Sequence, residues 1–476
     1  MHSILWFRQD LRVNDNPALN AAIENSNQVV AVYILDEQSK NHRQLGGASK
    51  VWLHYTLADL QKSLKEKYQI NLVLKIGKSV EVIGKLFAET RAEKLYFNRC
   101  YEPYFAANDA IINKKFNTET FNASLLVEPN EVKNGSGEYF KVYTAFYKKC
   151  LSSQKLRSPL KAPNQQDKGS KLGVSSLKLE ELKLLPTKPD WAAKFKKYWV
   201  ISENAAHENL EKFFHNGMKN YSDNRNFADN ENGTSKLSPY LHFGQISPHQ
   251  ILSATQFFSQ VKPDLEKGGE KFINEIYWRE FSYNLLGNFN DLPKKNFRPE
   301  FNNFPWDNNS ELLHKWKWGK TGFPIVDAGM RELYETGYMH NRVRMIVGSF
   351  LTKNLLTHWK NGEEWFWDNL FDADLANNSA SWQWVAGSGA DAAPYFRIFN
   401  PVIQGKKFDP SGRYTKKWCP ELKDLPIEYL HNPWESPELV IRAAGVELGK
   451  NYPKPIVTHE KGREIALKAY ALMRKN

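Results

Sequence analysis

The period of the hydrophobic pattern changes part-way along the chain, and this change limits the folds that are possible. Up to about residue 129, short apolar or β-branched runs occur at 4–7, 29–35, 71–76, 95–97 and 125–127. Helical patterns separate them, at 17–25, 49–67, 80–90 and 105–115. This alternation favours parallel strands joined by crossover helices. The N-terminal part is therefore predicted to be an α/β domain with a doubly wound parallel sheet.

After about residue 200 the strand patterns largely vanish, and segments with a period of about 3.6 residues replace them. These segments are 208–218, 248–260, 269–286, 325–336, 340–359 and 459–474. Between the two patterns, residues 155–188 are rich in Lys, Ser, Gln and Pro, but an aromatic patch at 139–147 is expected to dock on a neighbouring domain. We predict an α/β domain at 1–129, a connector at 130–200, and a larger all-helical domain at 201–476.

Charge and composition narrow the classes of function. The net charge of +12 favours polyanionic partners, of which nucleic acid is the commonest. The longest aliphatic-rich run, 29–35, is far shorter than the roughly 20 residues that span a bilayer. Three widely separated cysteines without CxxC spacing predict neither a disulfide scaffold nor a metal site. We therefore expect a cytoplasmic protein that does not contact membranes, and a monomer, because a chain of this length can bury its core alone.

Several motifs together identify a family. They are LWFRQDLR at 5–12, NDNPAL at 14–19, GFPIVDAGMR at 322–331, MHNRVRM at 339–345, the segment 372–378, WQW at 382–384 and YFRIFNP at 395–401. In this order they resemble the photolyase and cryptochrome family, and in detail they are similar to class I cyclobutane pyrimidine dimer photolyases. The resemblance runs from about residue 2 to about residue 470. It implies a helical FAD-binding domain and UV-damaged DNA as the partner.

The resemblance implies one FAD per chain, held in its reduced form, FADH⁻. Hydroxyl and backbone N–H groups at a turn before a helix also suit an anion, although a simple helix cap explains them equally well. Asn378 matches the position that faces flavin N5, where plant-type cryptochromes carry Asp, and a neutral amide there favours a repair enzyme. The residues implied to bind FAD are Tyr221, Thr234, Ser235, Lys236, Leu237, Ser238, Arg344, Asp372, Asp374 and Asn378.

Tryptophans are concentrated in the C-terminal part, where 11 of the 15 lie after residue 270. Each one alone is more simply explained as core packing. By resemblance, Trp382, Trp359 and Trp306 form an electron relay from the flavin to the surface. Trp316, Trp318, Trp365 and Trp367 are assigned to packing.

A second set of residues is implied to bind the DNA lesion. Glu275 and Trp278 are three residues apart, and Asn341 and Met345 are four apart, so each pair shares a helical face. With Trp384 they match the residues around a flipped-out pyrimidine dimer, although Glu275 taken alone would be a solvated carboxylate. The arginines implied to bind DNA are Arg225, Arg279, Arg342 and Arg397.

The implied function is light-dependent DNA repair by a deoxyribodipyrimidine photo-lyase, in which excited FADH⁻ passes an electron to the dimer. The alternatives are a cryptochrome-type photoreceptor, a nucleic-acid binder without flavin, and a (6-4) photolyase, which would carry paired histidines in the stretch where this chain has His340, Asn341 and Met345. A second, antenna chromophore, methenyltetrahydrofolate or deazaflavin, is left undecided. The folate mode is in doubt because residues 101–105 lack the Asn-Glu pair of folate-binding members.

Overall fold

The computed structural model describes residues 1–39, 42–153, 156–392, 394–395 and 397–475, so Phe396 of the YFRIFNP motif lies outside the described residues. The chain divides into two compact units. Unit 1 comprises Met1–Lys219 and Ser235–Asn290, and unit 2 comprises Asn220–Thr234 and Asp291–Asn476. The domain boundaries at residues 129 and 200 stay predictions. No helix among the described residues is long and apolar enough to cross a membrane.

Unit 1 contains a parallel sheet of five strands in the order β3-β2-β1-β4-β5. The central strand β1 pairs with β2 and β4, so that Leu5 lies opposite Ala31 on one side and Tyr96 on the other. Buried side chains such as Ile4, Trp6 and Phe97 form its core. The predicted doubly wound α/β fold is confirmed. The strands are β1 (His2–Phe7), β2 (Gln28–Leu35), β3 (Val73–Ile76), β4 (Lys94–Asn98) and β5 (Thr118–Phe121).

The prediction of the fifth strand was wrong. The run 125–127 forms no strand, because the backbone N–H groups of Leu126 and Val127 donate to the carboxylate of Glu280 at 2.7 and 3.2 Å instead of to a neighbouring strand. The actual strand, Thr118–Phe121, is an edge strand whose four residues are all only partly buried. Its sequence TETF is too polar and too short to be recognised by hydrophobicity.

Eight longer helices and one short one complete unit 1. They are α1 (Pro17–Asn25), α2 (Gly47–Tyr68), α3 (Ser79–Thr90), α4 (Pro103–Lys115), α5 (Tyr143–Ser153), α6 (Glu203–Asn216), α8 (Ser238–His242), α9 (Pro248–Val261) and α10 (Glu266–Asn288). Ser247 caps α9 as predicted: its hydroxyl accepts from Gln250 N, while the Gln250 side chain accepts from Ser247 N.

The first half of the connector packs along α10. The side chain of Asn284 donates to Phe140 O at 3.1 Å, and that of Asn288 donates to Pro129 O at 2.9 Å. Phe146 contacts Phe281 with ring centroids 5.4 Å apart. The aromatic patch at 139–147 thus docks on α10, as the sequence suggested.

Unit 2 is helical. Its helices are α7 (Tyr221–Asn224), α11 (Ser310–Lys317), α12 (Pro324–Thr336), α13 (Asn341–Ser349), α14 (Trp359–Asn369), α15 (Leu375–Ala386), α16 (Pro401–Phe408), α17 (Arg413–Trp418), α18 (Ile427–Leu430), α19 (Glu438–Ala443) and α20 (His459–Met473). Its core contains buried aromatic and aliphatic residues of α12, α13, α14 and α15, together with residues of the segments between and after them.

The prediction of one helix over 340–359 was wrong. After α13 the chain forms a π-helical turn at Phe350–Asn354, and Leu356 adopts the left-handed φ of 50°. His358 then starts α14, since its Nδ1 accepts from Lys360 N at 3.1 Å. The apolar periodicity continues through this break because residues 350–357 are all buried, and hydrophobicity alone does not detect it.

Gly268, near the start of α10, has no room for a side chain. A Cβ atom there would lie 1.7 Å from the carbonyl oxygen of Met218. We expect Gly268→Ala to lower the free energy of unfolding by about 3 kcal/mol, because the backbone itself must shift. Urea unfolding measures the change, with Gly135→Ala as control, since a Cβ at Gly135 would have no neighbour within 4 Å. Equal stability of the two variants would contradict this packing.

Candidate functional site

Arg344 and Asp372, both implied by the resemblance to bind FAD, form an ion pair in unit 2. The two terminal guanidinium nitrogens of Arg344 lie 3.0 and 2.8 Å from the two carboxylate oxygens of Asp372. Its Nε donates to Met339 O at 2.7 Å. This two-pronged contact fixes the guanidinium between α13 and the loop before α15.

Thr234 lies beside this ion pair. Its side chain hydrogen-bonds Tyr338, whose pKa burial raises to about 12, and the ring of Tyr338 lies 5.2 Å from the Arg344 guanidinium. Tyr221, also in unit 2, is buried and has the Arg225 guanidinium 5.7 Å from its ring. Unit 2 thus brings Thr234, Arg344 and Asp372 together.

The remaining residues of the predicted phosphate-binding segment belong to unit 1. Ser235 precedes Lys236, which adopts a left-handed φ of 53°. Leu237 is buried, and Ser238 is the first residue of the short helix α8. The segment is therefore a tight turn that leads into a helix, as the sequence suggested.

The α15 helix carries Asp374 and Asn378 one turn apart. Asp374 caps the helix, because its side chain accepts from Asn377 N at 2.8 Å. The Asn378 Nδ2 donates both to Glu363 O at 3.0 Å and to Glu363 Oε1 at 2.8 Å. Both partners are acceptors, so the nitrogen must face Glu363, and Oδ1 is the atom of the amide that can accept from a ligand.

The three tryptophans predicted to form an electron relay all lie in unit 2, at different depths. Trp382 and Trp359 are buried, whereas Trp306 is partly exposed. A Cβ atom on Gly362 of α14 would lie 2.1 Å from Cη2 of Trp382, so α14 packs directly on this indole. The His358 ring lies 5.5 Å from Trp359 and 5.2 Å from Trp306, measured between ring centroids. The aromatic series therefore runs from a buried to a partly exposed position.

Glu275 and Trp278 lie on α10 in unit 1. Glu275 forms an ion pair with Lys271 at 3.0 Å. The Trp278 indole stacks face to face on Tyr143, with ring centroids 3.6 Å apart and planes 8° from parallel. Tyr143 lies in the aromatic patch at 139–147, where nothing in the sequence distinguishes it from its aromatic neighbours.

Arg279 is largely buried in unit 1, with 11% of its side chain exposed. It donates to Ser124 O at 2.9 Å and to Glu280 Oε1 at 3.0 Å, and its guanidinium lies 4.8 Å from the Tyr283 ring. Because the Arg279 guanidinium already binds Ser124 O and Glu280, a DNA phosphate would have to compete with these two groups. Its role in DNA binding stays a prediction.

The other predicted lesion and DNA residues lie in unit 2. Asn341 is exposed as the first residue of α13, capped by His340. Arg342 donates to Asn226 Oδ1 at 2.5 Å and lies 3.6 Å from the sulfur of Met345. Trp384 is partly buried against the core, and Arg397 is exposed.

Comparison with known proteins decides the family. Residues 3–164 match the family described as DNA photolyase, and residues 272–472 match the FAD binding domain of DNA photolyase. A deoxyribodipyrimidine photo-lyase of Agrobacterium fabrum is 45% identical over 99% of this chain and 98% of its own length. The chain belongs to the photolyase and cryptochrome family. It therefore carries an FAD-binding domain, as the sequence predicted.

The chain is also similar to a cryptochrome and to a photolyase of known structure. Cryptochrome-2 of Arabidopsis thaliana is 35% identical over 99% of this chain and 79% of its own length. The crystal structure of a bacterial class III photolyase from Agrobacterium tumefaciens covers 100% of this chain and 98% of its own, with a TM-score of 0.94 and 45% identity. Since that structure is of a class III enzyme, the assignment to class I stays a prediction.

The buried carboxyl group of Glu280 makes the stability of the protein depend on pH. Burial raises the pKa of Glu280 from 4.5 to about 7. Between pH 4.5 and about pH 7, Glu280 is protonated in the folded protein but ionised in the unfolded chain. The contribution of Glu280 to the free energy of unfolding therefore falls as pH rises, by at most about 1.4 kcal/mol per pH unit. We expect Glu280→Gln to gain stability relative to the wild type between about pH 5 and pH 7, measured by urea unfolding. A constant difference across this range would contradict the assignment.

Proposed function

We propose that the protein is a light-dependent DNA repair enzyme that splits cyclobutane pyrimidine dimers flipped out of DNA. FAD, when bound in its reduced form, supplies the electron that its excited state passes to the dimer. The observation that carries the proposal is the fixed amide of Asn378, whose nitrogen is held by Glu363. An amide turned this way offers an acceptor, which suits a flavin that carries a proton on N5.

The other residues predicted to bind FAD, taken unit by unit, carry groups that suit a flavin. The hydroxyls of Thr234, Ser235 and Ser238 and the ammonium of Lys236 are groups that bind phosphate. Arg344 and Asp372 hold each other in place, while Leu237 and Tyr221 are buried and supply apolar surface. Asp374 keeps α15 capped and so keeps Asn378 at a fixed height in the helix.

The tryptophans have a separate role in the proposal. In light, Trp382, Trp359 and Trp306 pass electrons to a flavin that has become oxidised, and the hole left on the partly exposed Trp306 is filled by a reductant in solution, such as a thiol. The rings of Trp359 and Trp306 both approach His358. Burial and the neighbouring Lys360 lower the pKa of His358, which keeps this imidazole uncharged.

Each residue of the predicted lesion set has a task that its chemistry allows. Trp278 and Trp384 offer flat apolar surfaces to the saturated pyrimidine rings, and Met345 adapts to an irregular gap. Glu275 and Asn341 hydrogen-bond pyrimidine edges, and Glu275 can do so through the carboxylate oxygen that is not paired with Lys271. Arg225, Arg342 and Arg397 contact phosphates, so binding should weaken steeply with salt and depend little on sequence.

A cryptochrome-type photoreceptor is the second candidate, favoured by the 35% identity with Cryptochrome-2 of Arabidopsis thaliana. Asn378 and the complete lesion set argue for repair. A (6-4) photolyase is less well supported, because His340 serves as the cap of α13 and Asn341 follows it. We further propose that the protein is monomeric and cytoplasmic. An antenna chromophore, if bound, would be methenyltetrahydrofolate or deazaflavin.

Repair of defined lesions tests the function. Oligonucleotides with a single cyclobutane thymine dimer or a single (6-4) photoproduct are incubated with the reduced protein, in blue light and in darkness. We expect restoration of the cyclobutane substrate alone, and only in light, because Asn341 and Met345 replace the paired histidines of (6-4) enzymes. Repair of only the (6-4) substrate would overturn the lesion assignment, and repair of neither would favour the photoreceptor.

Trp306→Phe separates the relay from repair. Phenylalanine is much harder to oxidise than tryptophan, so we expect light-driven reduction of the oxidised flavin to slow at least tenfold, followed by absorbance. The repair rate of protein reduced chemically beforehand should stay within about twofold of the wild type. Trp318→Phe, which alters a tryptophan assigned to packing, is the matched control. An equal loss of photoreduction in both variants would contradict the proposed relay.

A further inference from the structure

Tyr143 is the closest ring neighbour described for Trp278, and it belongs to the connector rather than to the flavin-binding domain. The two ring centroids are 3.6 Å apart, with planes 8° from parallel, so Tyr143 covers one face of the indole. Phe281 meets Trp278 edge-on, with centroids 6.0 Å apart and an angle of 80°. The partial exposure that Trp278 retains is therefore on the rest of its ring.

Tyr143 is itself firmly held. Its hydroxyl donates to Asn274 O at 2.8 Å, which joins it to α10 one turn before Trp278. The ring is 5% exposed, and Phe281 contacts its edge at 5.8 Å. Burial, together with the nearby Glu275 carboxylate, raises the pKa of Tyr143 well above its ordinary range, so the hydroxyl remains a donor.

Tyr143 belongs to the segment 129–143, which contacts α10 at several points. The Asn284 and Asn288 side chains bind the backbone at Phe140 and Pro129. A Cβ atom on Gly287 would lie 2.8 Å from Pro129, so the segment and α10 are in direct contact. Tyr143 therefore cannot move away from Trp278 without breaking this docking.

We propose that Tyr143 is a positioning residue that sets the plane of Trp278 and thereby determines the preference for DNA that contains a dimer over undamaged DNA. The inference rests on the proposed function, in which Trp278 contacts the dimer. Because Tyr143 already stacks on one face of the Trp278 indole, the indole loses little rotational freedom when the dimer stacks on its other face. The contact with Tyr143 therefore increases the affinity for the lesion. Undamaged DNA, whose bases stay stacked in the duplex, gains nothing from this orientation.

The test measures dissociation constants in darkness for two duplexes that differ only by one cyclobutane thymine dimer. FAD-loaded Tyr143→Leu should bind the dimer duplex roughly two- to tenfold more weakly than the wild type, the range expected from loss of one aromatic stack. Its affinity for the undamaged duplex and its FAD content should not change. Tyr143→Phe, which keeps the ring, should restore the preference.

A matched control and a second variant keep the test decisive. Tyr147 lies parallel to Tyr143, with centroids 5.8 Å apart, and its other described ring contact is with Tyr277, so Tyr147→Leu should keep the wild-type ratio of affinities. Should Tyr143→Leu fold poorly, Tyr143→Met fills the space without a ring and should give the same loss. A wild-type ratio in Tyr143→Leu or Tyr143→Met, or an equal loss in Tyr147→Leu, would overturn the inference. Equal affinity of the wild type for both duplexes would instead contradict the proposed function.

Discussion

The second half of unit 1 depends on one buried carboxylate. Glu280 is 1% exposed, accepts from the backbone of Leu126 and Val127, and pairs with Arg279. A carboxylate placed this deep is costly unless its oxygens are satisfied, and here the donors come from a segment distant in sequence. The long helix α10 is consequently tied to residues 124–127, and the Asn284 and Asn288 contacts extend this attachment to residues 129–140. The orientation of Glu275 and Trp278 follows from these anchors.

Unit 2 likewise satisfies its buried polar side chains with fixed partners around the family motifs. Arg344 is held by Asp372 and Met339, and Asn378 is held by Glu363, which in turn pairs with Lys360 at 2.9 Å. In the proposed flavin site these polar groups are thus oriented before the ligand binds, and binding has less conformational entropy to lose. The same network decides which end of the Asn378 amide a ligand can reach.

Much of the fold was accessible from the sequence because periodicity is a local property. The order of strands and helices in the α/β domain and the capping box at Ser247 follow from residue patterns alone. The edge strand Thr118–Phe121 and the π-helical turn at Phe350–Asn354 did not follow, since one is too polar and the other lies inside a uniformly buried stretch. The residues of the candidate site are predicted by resemblance, whereas the partners that orient them became visible only in the structure. Glu363, Glu280 and Tyr143 are ordinary residues in sequence, and only the packing of distant segments gives them a role.

In the proposed repair reaction, the electron given to the dimer returns to the flavin once the two bonds between the pyrimidines have split, so that repair involves no net oxidation. The most direct measurement counts dimers repaired per FAD under continuous blue light, without oxygen or added reductant, while the absorbance of reduced flavin is followed. If the electron returns to the flavin, we expect many repaired dimers per FAD and an unchanged absorbance of the reduced flavin. One dimer or fewer per FAD, with oxidation of the flavin in equal amount, would contradict it.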